Sequence, residues 1–263
     1  MGDLTKQTRP DRVEEGVYEV ELSPDWDVWG PNGGYVSAAV LRAVGRETDR
    51  RRPISYLGQY LGQAAFRKAK IRVECIKPGR RVSAYTAGLE QDGELLVRAL
   101  VWTGEPGEGP EHQLTGPPGF FVPLEEAGDR PPVGPMPCWD NLEIREVKSS
   151  GGHYSHWYRF VPPPDIDDPF ADAARSLVLI DMMQWPARYY MTEDRPEYVA
   201  PSLDLAVRFH RVGDTSEWLF SDARSPLARE GLVAGEATVW DAEGHCLASG
   251  GSQSLLLPAE APY

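Results

Sequence analysis

GRRVSAYTAGLEQDGELLVRALVWTG (residues 79–104) and EGLVAGEATVWDAEGHCLASGGSQSLL (residues 230–256) decide the fold, because they are two versions of one phrase. Each is a pair of alternating runs joined by an acidic-Gly turn, Asp92-Gly93 in the first and Glu243-Gly244 in the second. Alternation at period two reads as a half-buried strand, and the short turn between runs reads as a hairpin. Upstream of each hairpin lie further strand-like runs and, before those, a helix-like run. The chain is therefore expected to be α+β, a duplicated unit of one helix and a long antiparallel sheet. In such a molecule an active site belongs at the seam between copies, and one copy is free to lose its share of the chemistry.

Working outward, Val17–Leu22 alternates as a first strand, and Ser23-Pro24-Asp25 breaks it. Asn32 is placed as the N-cap of a helix in which Tyr35, Ala38, Ala39, Leu41 and Val44 recur at helical spacing. Gly33, Gly34, Ser37, Ala38 and Ala39 leave that helix a face of small residues, suited to close approach by another element. Strands are expected at Ile54–Leu61 and Ala69–Ile76. In the second half they are expected at His156–Val161, Leu203–His210 and Trp218–Ser221. Asp165-Ile166-Asp167-Asp168-Pro169 reads as a turn. Ala171–Tyr190 reads as the second helix, kinked or ended at Pro186. Residues 12–104 make the first unit and 141–258 the second. Between them, 105–140 is a Pro- and Gly-rich connector, long enough to cross one sheet face with Phe120 and Phe121 as anchors.

Aligning Gly93 with Gly244 sets Gln253 against Trp102. Aligning Tyr60 with Phe209 sets Asp204 against Ser55. The polar partners thus fall in the second copy.

Composition narrows the function. No stretch approaches the ~18 apolar residues of a membrane span, and the N-terminus lacks the apolar core of a signal peptide. Three scattered cysteines (Cys75, Cys138, Cys246) fit neither a disulfide framework nor a metal motif, and a reducing cytosol is the simplest setting. His153 and His156 have no third ligand nearby, so no metal is expected. A net charge of −13 argues against nucleic acid as a partner. A local basic run, Arg67 to Arg81, leaves room for a phosphorylated small molecule. No G-x-S-x-G elbow is present, which argues against an α/β-hydrolase serine esterase.

WGPNGGYVSAAVLRA, KPGRRVSAYTAGLEQDG, SLDLAVRFHR and ASGGSQSLLL, in that order, resemble the type II acyl-CoA thioesterases. The resemblance covers about Trp26 to Leu257, outside the connector. It implies a double hot-dog, in which two fused units each wrap a sheet around a helix. It also implies hydrolysis of acyl-CoA without a cofactor, and assembly as a homodimer or larger homo-oligomer. The family's working residues are an Asp, a Thr or Ser, and a Gln of the second unit; by resemblance these fall on Asp204, Ser225 (with Ser221 as the alternative) and Gln253. The first unit departs from the family at Tyr60–Ala64, reading YLGQA where an FLRP-like ending is usual, a difference that bears on acyl-chain preference.

Thioester hydrolysis needs an activated water and a stabilised oxyanion. Asp204 can activate or orient the water, with Ser225 and Gln253 in support. The free N–H groups of a helix start, at Asn32, Gly33 and Gly34, suit the oxyanion. Which of the two helices faces the carboxylate is left open. Arg80 and Arg81 are candidates for the CoA phosphates. Asp181, on the second helix, reads as a helix-face or capping residue. Two other readings stay open: a hot-dog hydratase or dehydratase, which wants a histidine near the helix start where GPNGGY has none, and a non-catalytic binder of acyl thioesters.

Overall fold

The structure is a computed structural model. It describes residues 1–119, 121–148, 152–166, 168–190, 198–212 and 216–259. A short helix α1 (Leu4–Gln7) precedes strands β1 (Asp11–Glu14) and β2 (Val17–Glu21). Helix α2 (Gly33–Glu47) follows, then β3 (Arg52–Tyr60), β4 (Lys68–Lys77), β5 (Val82–Gln91) and β6 (Glu94–Gly104). The second half runs β7 (Leu142–Glu146), β8 (His153–Phe160), α3 (Pro169–Met182), α4 (Gln184–Tyr190), β9 (Tyr198–Val199) and β10 (Asp204–Phe209). It closes with β11 (Trp218–Arg229), β12 (Leu232–Trp240), β13 (Cys246–Leu255) and β14 (Leu257–Pro258).

The duplication is written in the sheet order, β1-β2-β4-β5-β6-β3-β10-β13-β12-β11-β8-β7. Read outward from the centre, the halves run β3-β6-β5-β4-β2-β1 and β10-β13-β12-β11-β8-β7, the same sequence of equivalents. The two half-sheets join where β3 pairs antiparallel with β10, Leu57 opposite Ala206 and Gln59 opposite Asp204. Twelve strands thus form one continuous sheet.

Both helices form where their caps allow. Asn32 Oδ1 accepts from Tyr35 N at 2.9 Å to start α2. Asp168 Oδ1 accepts from Phe170 N (2.7 Å) and Ala171 N (2.9 Å), with Pro169 in the first turn, so α3 begins two residues before its expected start at Ala171. The run expected as one helix to Tyr190 is two: α3 ends at Met182, and α4 carries Pro186 in its first turn, where a missing N–H costs nothing.

Buried side chains of α2 and α3 face buried positions of the sheet to make the main core, including Tyr35, Leu41, Tyr56, Leu177, Leu205 and Val239. On the opposite sheet face, Trp157, Phe220 and Trp240 form a smaller cluster, against which Phe121, Val122 and Leu124 pack. Trp157 Nε1 donates to Val122 O at 3.0 Å. The connector therefore crosses a sheet face with Phe121 as an anchor; Phe120 lies outside the described residues. The strand expected at Trp218–Ser221 extends to Arg229, because a register shift between Arg224 and Leu227 absorbs Ser225-Pro226 without a ladder N–H.

Candidate active site

The two helices lie antiparallel and touch through glycine at both ends. A Cβ on Gly34 would stand 2.9 Å from Asp181 Cβ and from Val178 Cα, so only glycine lets the last turn of α3 reach the first turn of α2. The result is a carboxylate held against a helix N-terminus. Asp181 Oδ2 accepts from Gly34 N at 2.7 Å and from Asn32 Nδ2 at 3.2 Å. Its Oδ1 accepts from Ser202 Oγ at 3.3 Å. Asp181 sits at the negative end of its own helix, where an acid is disfavoured, and is received by the positive end of the other. Burial pushes its carboxyl up to about 6, against the pull of Gly34 N–H, Ser202 and Asn32 in the opposite direction.

Asn32, Asp181 and Ser202 line a cavity of about 530 Å3. Asn32, Gly33, Val36, Tyr60 and Val97 come from the first unit. Asp181, Met182, Trp185, Ser202 and Leu203 come from the second, and Met136, Cys138 and Trp139 come from the end of the connector. Trp29 and Trp185 also line it, edge to face with ring centres 5.4 Å apart. The capping set of α2 uses the N–H groups of Gly34, Tyr35 and Val36. The N–H of Gly33 has no acceptor among the described residues, which leaves one free donor at the cavity wall.

Of the sequence-predicted residues, Asn32, Gly33 and Gly34 are here, and Asp204, Ser225 and Gln253 do not line this cavity. Asp204 pairs with Gln59, on the face opposite the inward-pointing Tyr56, Gly58 and Tyr60, and its Oδ1 accepts from Gln253 N at 2.9 Å. Gln253 alternates with the buried Ser252 and Ser254, so it too faces away from the helices. The Ser225 hydroxyl is spent on Ala234 O at 3.0 Å, and Ser221 is buried opposite His156 on β8. Arg80 and Arg81 are exposed beside the Gly104 end of the sheet, whereas Tyr60 and Val97 mark the cavity end of β3 and β6. At ~3.3 Å per residue that is roughly 25 Å away. The residues that sequence reasoning passed over are Asp181 and Ser202. The available signal was an acid inside the buried apolar run LVLIDMM, paired with a Gly-Gly helix start that has to receive something.

Aligning the caps Asn32 and Asp168 sets Gly34 against Phe170 and Gly45 against Asp181. The contact that makes the site, Gly34 under Asp181, therefore has a counterpart of Phe170 over Gly45. A Cβ on Gly45 would lie 2.6 Å from Phe170 Cγ. The pseudo-equivalent contact has Gly45 where the first has a carboxylate, and an aromatic ring fills it. Elsewhere, Asp241, Glu243 and His245 bring ligand atoms within 4.8 Å of one another in the β12–β13 turn, but Asp241 already receives His245 N and faces His245 Nδ1.

Two hot-dog units sharing one continuous sheet define the class: a double hot-dog protein. The Acyl-CoA thioesterase N-terminal domain model matches residues 22–104, and the Acyl-CoA thioesterase C-terminal domain model matches 104–256. The chain belongs to this acyl-CoA thioesterase family. Among solved structures, a hot-dog protein from Alicyclobacillus acidocaldarius superposes with a TM-score of 0.85 at 20% identity, over 99% of this chain and 98% of that one. A tesB protein from Mycobacterium avium subs paratuberculosis gives 0.83 at 19%, over 97% and 98%. The acyl-CoA thioesterase II TesB2 of Mycobacterium marinum gives 0.82 at 20%, over 98% and 99%. No curated protein matches.

Proposed function

We propose that the chain hydrolyses acyl-CoA thioesters to free acid and CoA, with water activated by Asp181 rather than by Asp204. The observation that carries this reading is the carboxylate of Asp181, raised toward neutrality and fixed at the N-terminus of α2 inside a largely apolar cavity. A base near pH 6 accepts a proton from water far better than an ordinary aspartate does. Water attacks the thioester carbon and its proton passes to Asp181. Ser202 and Asn32 hold the carboxylate in place. The oxyanion rests on the free N–H of Gly33, where the α2 dipole favours negative charge. Collapse of the tetrahedral intermediate expels the CoA thiolate, which takes the proton back from Asp181.

Among the described residues no histidine lines the cavity, which favours hydrolysis over hydration or dehydration. Binding without turnover is separated by experiment. Thiol release from short, medium, long and aromatic acyl-CoAs is compared for wild type, Asp181→Asn and Asp204→Asn. Loss of roughly 10²-fold or more in a folded Asp181→Asn protein, with Asp204→Asn near wild type, is expected. The reverse pattern returns the base to Asp204, and binding of acyl-CoA without thiol release makes the protein a binder. Free cysteines in all three positions fit a cytosolic protein. A homo-oligomer is proposed from the family resemblance, and sedimentation equilibrium tests it.

A further inference from the structure

Next to Gly33 stands a second polar group that the hydrolytic scheme has not used. A Cβ on Gly33 would lie 3.0 Å from Tyr60 Oη and 3.3 Å from Asp181 Oδ2, so the phenol and the carboxylate face one point at the start of α2. Tyr60 reaches it from the end of β3. Its Oη lies 2.8 Å from Ser37 Oγ, one turn into α2. Ser37 in turn accepts from Tyr56 Oη at 2.9 Å. Ser37 and Tyr56 are fully buried, and Tyr60 lines the cavity.

Tyr56 donates to Ser37, and either oxygen of the Ser37–Tyr60 pair can be the donor. With the Ser37 proton on Tyr60, the Tyr60 oxygen is an acceptor there and its own proton is left to turn toward the cavity. Burial and the nearby Asp181 charge both push the phenol of Tyr60 up, which keeps that proton in place at any working pH. The counterpart of Tyr60 in the second unit is Phe209, which has no hydroxyl; the live seam has the donor and the filled one does not.

We propose that the Tyr60 hydroxyl is a second hydrogen-bond donor to the thioester carbonyl oxygen, beside the Gly33 N–H, with its proton aimed by the Tyr56–Ser37 row. The inference rests on the hydrolase reading above. It makes Tyr60 a catalytic residue of the first unit, holding the carbonyl that a water activated by the second unit attacks.

The test uses Tyr60→Phe, which keeps the ring and removes only the hydroxyl. Its kcat is expected to fall roughly 10²-fold with KM little changed, as when one oxyanion donor is removed. Ser37→Ala, which leaves the Tyr60 proton undirected, falls in between. Two non-hydrolysable CoA analogues separate contact from structure. A ketone analogue, with CH2 in place of sulfur, keeps the carbonyl oxygen and is expected to bind several-fold more weakly to Tyr60→Phe. A thioether analogue, which lacks that oxygen, is expected to bind both proteins alike. A kcat within two-fold of wild type, or equal losses for the two analogues, overturns the role of Tyr60. If wild type itself releases no thiol, the hydrolase reading fails, while the analogue pair still reports whether Tyr60 touches the carbonyl.

Discussion

At Asp181 four influences meet: burial raises the proton affinity of the carboxyl, while Gly34 N–H and the Ser202 and Asn32 side chains lower it. Burial wins, and two outcomes follow. As the proposed base, Asp181 works only when ionised, so kcat/KM is expected to fall as pH drops through about 6, and a pH–rate profile checks it. The folded-state value lies above the ordinary 3.8, so the folded protein binds this proton more tightly than the unfolded chain. Ionisation therefore costs stability, fully above pH 6, less as pH falls toward 4, and not at all below. Asp181→Asn removes that cost: urea melts should show it more stable than wild type at pH 8, by on the order of 3 kcal/mol, with the gain nearly gone by pH 4. A stability difference independent of pH would contradict the assignment. Asp204→Asn, which alters only an acceptor on the outer sheet face, should change activity less than three-fold, in the range of ordinary surface substitutions.

Helix α2 was legible from its cap and its 3.6-residue period, and its small-residue face announced a close neighbour. What could not be read was which neighbour. Asp181 and Gly34 are far apart in the chain, and nothing in either local pattern names the other. The strand β10 shows a related limit. An acid in a strand asks for an explanation, and Asp204 has one, a hydrogen bond to the Gln253 backbone, but alternation places it outside. The hairpins were legible because period two and turn chemistry are local, and the edge strands β1 and β7 were missed because exposed or short runs carry little pattern. The same helix contact makes a prediction at this scale. Gly34→Ala puts a methyl 2.9 Å from backbone and Cβ of α3, and should destabilise the protein by about 1–3 kcal/mol and depress kcat together, read by thermal melts and thiol release.

For the whole molecule, the proposed function assigns the chemistry to one of two related seams. Titration calorimetry with a non-hydrolysable acyl-CoA analogue should show one site per chain; two equivalent sites would contradict a filled second seam. Phe170 fills the dead seam as core, buried against Gly45. Phe170→Ala should cost about 3–5 kcal/mol in denaturant melts and restore no second activity, because Gly45 supplies no carboxylate. Stability, not chemistry, is what that ring contributes.

The meeting of α3 with α2 has a wider consequence. A carboxyl that protonates near pH 6 only because two fused units press it between them is a gauge of their docking. Any ligand, partner copy or substitution that loosens the seam lets water in and draws its proton affinity back toward that of a free aspartate. The infrared carboxyl band of one residue would then report, in the intact enzyme, how firmly its two halves hold each other.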